Sequence, residues 1–194
     1  MIERADERAT LIRAAWTVLR RSGFDGFKVQ LVLKETGFSA RTFYRNFSDK
    51  EALMLALVED EYQATGRRLR RVVPQSSSEP PAQVGAWIRE LLLAGADPQR
   101  LARVRLFSSS QLLMSRSPGA FDRAVYAILG SLEGAIRAGQ MSGAFHGDDP
   151  HADAQQVVRL ASGALSEYVA RGGEGSGLEE LIDSTIIFAL RALQ

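Results

Sequence analysis

Apolar residues recur at spacings of three and four along nearly the whole chain, and no alternating run of strand length with hairpin turns interrupts them. From Thr10 to Leu19, for example, Leu11, Ala14, Ala15, Val18 and Leu19 share one face. This periodicity restricts the chain to an all-α fold, with about nine helices read from their punctuation. Ser22-Gly23 closes the first, with Gly23 as a left-handed cap. A short helix from about Lys28 to Thr36 turns Val29, Val32 and Leu33 inward and breaks at Gly37. Ser39 caps a third helix over 40–46, with Phe43 and Phe47 inward. Ser48-Asp49-Lys50-Glu51 reads as a capping box, Ser and Glu three apart, opening a longer helix to about Arg71.

Pro74 to Pro81 is the clearest linker signal. Beyond it, Pro80-Pro81, Asp97-Pro98, Ser117-Pro118 and Asp149-Pro150 each place proline where a helix begins. Ser108-Ser109-Ser110 is a kink signal in the Asp97-Pro98 helix, Gly172 to Gly177 is a turn, and a last helix runs from Leu178. Two parts are expected: residues 1–50 with a connecting helix over 48–71, and residues 72–194.

Composition excludes several chemistries. The 194 residues contain no cysteine, which removes disulfide scaffolds, thiolate metal sites and thiol catalysis. The apolar stretches Leu91–Ala94 and Ile186–Leu190 fall far short of the roughly 20 residues of a membrane span, and the charged N-terminus has no signal-peptide core, so the cytoplasm is the expected compartment. His146, Asp148, Asp149, His151 and Asp153 crowd one loop. The histidines straddle Asp-Pro, however, and Asp149 is better used as an N-cap, so no metal is expected. The glycine-rich turn lacks the strand before it and the Lys-Ser/Thr ending of a phosphate loop. There is no nucleophile elbow, and with both histidines in one loop a Ser-His-Asp site has little support. An enzyme is not expected, nor a cofactor.

Residues 28–47 have the layout of a helix-turn-helix: two helices too short to stand alone, joined at a glycine. The second displays Arg41, Thr42, Tyr44 and Arg45 outward. An arginine can fork onto guanine or phosphate, and hydroxyls bond phosphates or base edges. Ser39 leaves helix amides near where a phosphate would lie, and Lys50 is placed similarly. The rival to a duplex reader is a solvated polar helix whose fold is only structural.

Residues 10–55 resemble the N-terminal domain of the TetR family of bacterial transcriptional regulators. The resemblance is carried by Ala14-Ala15, Gly23-Phe24, Val29, Gly-Phe-Ser-Ala-Arg-Thr-Phe-Tyr-Arg-Asn-Phe over 37–47, and Ser-Asp-Lys-Glu-Ala-Leu over 48–53. It implies that Ser39, Ala40, Arg41, Thr42, Tyr44 and Arg45 face the major groove and that Lys50 meets a phosphate. Lys28 and Gln30 join the expected DNA contacts. Three positions depart from the family pattern. Lys28 stands where Thr or Ser often caps the second helix, Leu33 where a small alanine is usual, and Arg41 where glycine is frequent, which adds a cationic contact.

The formal charge of +1 averages two unlike parts. Residues 1–71 hold 14 Lys plus Arg against 10 Asp plus Glu, or +4, and residues 72–194 hold 10 against 13, or −3. The first part has the sign a duplex requires.

In the second part Trp87, Leu91, Val104, Phe107, Met114, Phe121 and Tyr126 are core residues or the lining of an apolar cavity, with Arg103, Arg105 and Glu133 as polar wall candidates. The resemblance implies that such a pocket exists and that its small-molecule ligand changes DNA affinity. The last two helices are apolar around more than half their surface, which calls for a second partner. A four-helix, two-fold dimer interface through Ala161, Ala164, Leu165, Tyr168, Ile182, Ile186 and Ala189 is expected from that pattern and from the resemblance. Such a homodimer would read a palindromic operator with half-sites about 34–36 Å apart. The leading expectation is therefore a ligand-released, homodimeric DNA-binding regulator, a repressor rather than an activator. The alternatives are an all-α small-molecule-binding protein or enzyme with a structural helix-turn-helix, and an adaptor that recruits a partner through its last helix.

Overall fold

The computed structural model describes residues 2–95, 97, 118–172 and 177–194. Among these, every regular element is helical: α1 (Ile2–Ser22), α2 (Val29–Thr36), α3 (Ala40–Asn46), α4 (Lys50–Ser76), α5 (Pro80–Leu92) with a short 3₁₀ turn at Leu93–Gly95, α6 (Pro118–Ser142), α7 (Pro150–Ala170) and α8 (Gly177–Leu193). The helix expected to start at Asp97-Pro98, with its kink at Ser108–Ser110, lies outside the described residues.

α1 packs on α2, α3 and α4 as one group; in a second, α5 and α6 pack on α4 and on each other, α7 packs on α6 and α5, and α8 packs on α5 and α7. Fully buried Leu11, Phe27, Val32, Phe43, Leu53 and Leu57 fill the first group; Leu69, Val84, Trp87, Ile88, Leu132, Ile136, Ala161 and Ile182 fill the second. The indole of Trp87 donates to the Ile128 carbonyl at 3.3 Å, so its one polar atom is satisfied inside the core. The C-terminus is tied down where the His146 amide donates to the Leu193 carbonyl at 2.7 Å.

Three boundaries differ from the sequence reading. α1 begins at Ile2, eight residues before its apolar stripe, because Glu, Arg and Ala are good helix formers without a buried face to mark them. α4 runs through Pro74 to Ser76, so the connection is only 77–79. Buried Leu69 and Val73, four residues apart, hold that last stretch on the core, where proline removes a single backbone hydrogen bond. Finally, the cap of α4 is Asp49 rather than Ser48. Asp49 Oδ1 accepts from the Ala52 amide at 2.7 Å, and Ser48 Oγ donates to Asp49 Oδ2 at 2.9 Å.

Asp149 caps α7 as expected, accepting from the amides of His151 and Ala152 at 3.1 and 3.0 Å. His151 Nδ1 lies 3.0 Å from Glu133 Oε2, and its Nε2 lies 3.0 Å from Gln155 Nε2. Gln140 donates to Asp153 Oδ2 at 3.0 Å. Among the described residues no group of three or more His, Asp or Glu could hold a metal ion. No helix among them is long and apolar enough to cross a membrane.

Candidate nucleic-acid interface

The turn between α2 and α3 is built from backbone requirements. Gly37 takes φ +70° and its amide donates to the Leu33 carbonyl at 2.9 Å, ending α2 in a left-handed cap. Thr36 Oγ1 donates back into α2 and accepts from the Phe38 amide at 3.2 Å. Ser39 then starts α3, its hydroxyl accepting from the Thr42 amide at 3.2 Å and sitting 3.1 Å from Thr42 Oγ1. At the start of α2, Lys28 is extended and makes no side-chain cap.

α3 is anchored by one side chain. Phe43 is fully buried, with Tyr44 edge-on to it at 5.3 Å between ring centroids and Phe47 at 5.8 Å. Fixing Phe43 inward turns the neighbouring positions outward, since seven residues make barely two turns. Ala40, Arg41, Tyr44 and Arg45 are exposed, and Thr42 is half-buried. Tyr44, 64% exposed, is a large aromatic in water with its ring base on Phe43. Lys28, Gln30, Ser39 and Lys50 are also exposed, and the Lys50 ammonium lies 5.6 Å from the Phe27 ring centroid. All nine expected contacts therefore sit on α3, at the two ends of α2–α3, or on the first turns of α2 and α4.

Arg45 differs from the rest. Its guanidinium is ion-paired to Glu7 of α1, and the adjacent Asn46 donates to the other Glu7 oxygen at 3.0 Å. At the next residue of α1, the Arg8 guanidinium lies 5.0 Å from the Phe47 ring centroid. Nothing in the sequence singled out Glu7, which lies in a polar stretch without periodicity and 38 positions from its partner. The Asp49 carboxyl below α3 is held under the usual carboxylate range by the Ala52 amide and then by the Ser48 hydroxyl.

The residues expected around a ligand divide. Trp87 and Leu91 are buried in the core, whereas Tyr126 stands outside the protomer, 74% exposed. Val104, Phe107, Met114, Arg103, Arg105 and the Phe121 side chain lie outside the described residues. Glu133 is engaged at the surface by Arg137 and His151. His151 first, then Arg137, keep the Glu133 carboxyl below its ordinary range.

The expected dimer residues divide as well. Ala161, Leu165, Ile182 and Ala189 are buried within the protomer itself, because α7 and α8 turn them toward α5 and each other. Ala164, Tyr168 and Ile186 are half-buried. The large apolar side chains that α8 leaves in water are Ile187 and Phe188, 50% and 63% exposed.

Residues 11–57 match the family model for bacterial regulatory proteins of the TetR family. Solved structures share the whole fold at low identity. A TetR transcription regulator from Haloarcula marismortui is 18% identical over 97% of this chain and 98% of its own, with a TM-score of 0.73. The transcriptional regulator FadR from Bacillus subtilis, solved with stearoyl-CoA, is 18% identical over 96% and 99%, with a TM-score of 0.72. RolR, solved with resorcinol, is 19% identical over 98% and 89%, with a TM-score of 0.70. No curated protein matches the chain in sequence.

Proposed function

We propose that this chain, whose residues 11–57 match the family model for bacterial regulatory proteins of the TetR family, is a DNA-binding transcriptional regulator of that family, acting as a cytoplasmic homodimeric repressor released from a palindromic operator by a small apolar or amphipathic ligand. The observation that carries the reading is α3, a helix with one buried anchor, Phe43, and an outer surface of Arg41, Thr42 and Tyr44 flanked by Lys28, Gln30, Ser39, Ala40 and Lys50. In this reading Arg41 forks a guanine or a phosphate, the Tyr44 and Thr42 hydroxyls bond backbone or base edges, and the two lysines set register on phosphates.

Residues 1–50 are then the reader, α4 the connector, and residues 72–194 the sensing and dimerising part. FadR with stearoyl-CoA and RolR with resorcinol support an apolar or amphipathic effector held among the C-terminal helices. Exposed Ile187 and Phe188, with half-buried Ala164, Tyr168 and Ile186, support a two-fold contact through α7 and α8. The ligand must prefer the arrangement that fits DNA poorly, and DNA must weaken the ligand by the same factor.

The test is selection of binding duplexes from a random pool, followed by titration at several salt concentrations. The expected winner is an inverted repeat bound by two protomers. A pool that yields no preferred sequence would sink the reading.

A further inference from the structure

We propose that Glu7 is a specificity-determining positioning residue, which neutralises Arg45 and keeps it out of the pool of charges that grip phosphates without regard to sequence. The proposal rests on the DNA-binding reading above and goes beyond it, since Glu7 is not among the DNA contacts that reading assigns.

The Glu7 carboxylate is shared by two consecutive residues of the last turn of α3. One oxygen takes Arg45 Nη2 and the other takes Asn46 Nδ2 at 3.0 Å. Asn46 Nδ2 also donates to the Thr42 carbonyl at 2.9 Å. With two acceptors facing it, the amide must present its nitrogen, and Asn46 Oδ1 is left buried without a hydrogen-bond partner among the described residues. The clamp therefore prevails over the satisfaction of that oxygen.

The exposures are unequal: the Glu7 side chain is 15% exposed and that of Arg45 51%. A pair between two fully exposed side chains would be weak and easily exchanged for a phosphate. Here the covered partner is the carboxylate, so drawing Arg45 away would leave a poorly hydrated anion without its cation, close to incoming phosphates. Arg45 thus stays with Glu7, and the pair is neutral as a unit. The net effect is to lower the sequence-independent part of DNA affinity, which depends on how many phosphates are neutralised, while Arg41 and Tyr44 remain to discriminate.

The experiment compares the wild-type chain, Glu7→Gln and the double variant Glu7→Gln/Arg45→Gln on a selected duplex and on a random one, by fluorescence anisotropy across a potassium chloride series. Glu7→Gln keeps the shape of the side chain and removes the charge that pairs with Arg45. Its plot of log affinity against log salt should steepen by about 0.9, the value for one phosphate, and its preference for the selected duplex should fall several-fold. The added slope should vanish in the double variant. An unchanged slope and preference in Glu7→Gln, or an added slope that survives in the double variant, overturns the proposal while wild-type binding leaves the DNA-binding reading standing. Absence of preferred wild-type binding overturns both. Should Glu7→Gln not fold, arginine-detected NMR of the wild-type chain decides. Separate, slowly exchanging Arg45 Hη signals that persist on adding the random duplex support the clamp, and a freely rotating guanidinium overturns it.

Discussion

Gly66 of α4 passes so near Ala127 of α6 that a β-carbon on Gly66 would stand 2.1 Å from the Ala127 carbonyl oxygen. The Arg70 guanidinium, one turn along, donates to that same carbonyl at 3.0 Å. The obstacle is backbone, which cannot swing aside, so Gly66→Ala must push the two helices apart. Overpacking of this kind costs about 1–3 kcal/mol. Thermal unfolding followed by circular dichroism should show a midpoint about 2–12 °C lower for a chain of this size, and an unchanged midpoint would show that α4 and α6 are not in this contact in solution.

Gly37→Ala tests a different cost. Nothing lies within 4 Å of the added β-carbon, but Gly37 has φ +70°. The penalty is therefore conformational alone, about 1–2 kcal/mol, and should be visible in urea unfolding as a lower midpoint with an unchanged slope.

Asp49→Ala removes the cap of α4 and should cost about 1 kcal/mol at pH 7. The folded-state carboxyl titrates below the ordinary range of an aspartate, so the wild-type advantage is fully present above that range. It is lost as the pH falls through the still lower folded-state value. Chemical unfolding of both proteins at pH 7 and in strong acid should show the gap closing; a gap that persists in acid would assign the effect to packing.

Arg41→Ala should weaken binding to the selected duplex by about 1–3 kcal/mol, ten-fold or more, and relax preference at one base position if the guanidinium forks a guanine. Equal loss on selected and random duplexes would assign Arg41 to a phosphate instead.

Phe188→Glu places a charge on the apolar side chain that α8 exposes most. Under the proposed dimer it should yield monomers in sedimentation equilibrium and lose cooperative binding to an inverted repeat. A dimer of wild-type strength would move the interface elsewhere.

How much could be read in advance depended on how local each cause was. α2 and α3 were legible to the residue at their punctuation, because Gly37 and Ser39 act on their own backbone neighbours. The outward set on α3 followed from Phe43 by the helical repeat. The start of α1 was not legible, since a helix polar on all sides leaves no stripe to find. The end of α4 was misread because Pro74 is a strong local signal that the burial of Val73 overrides. Of the expected dimer residues, Ala161, Leu165, Ile182 and Ala189 are buried within the protomer. An apolar helix shows how much surface it must hide, but not which part its own protomer hides. The pairing of Glu7 with Arg45 arises only when two distant turns meet, and no pattern along the chain announces it.

α4 is one uninterrupted helix from Lys50 to Ser76, about 40 Å of rod at 1.5 Å per residue. A rod of that length is a mechanical amplifier. A tilt of about 5° imposed at its Ser76 end carries Lys50 sideways by about 3–4 Å, roughly the 3.4 Å of duplex axis that one phosphate of a strand occupies. A rearrangement among the C-terminal helices too slight to alter their packing would be enough to put the reader one step out of register.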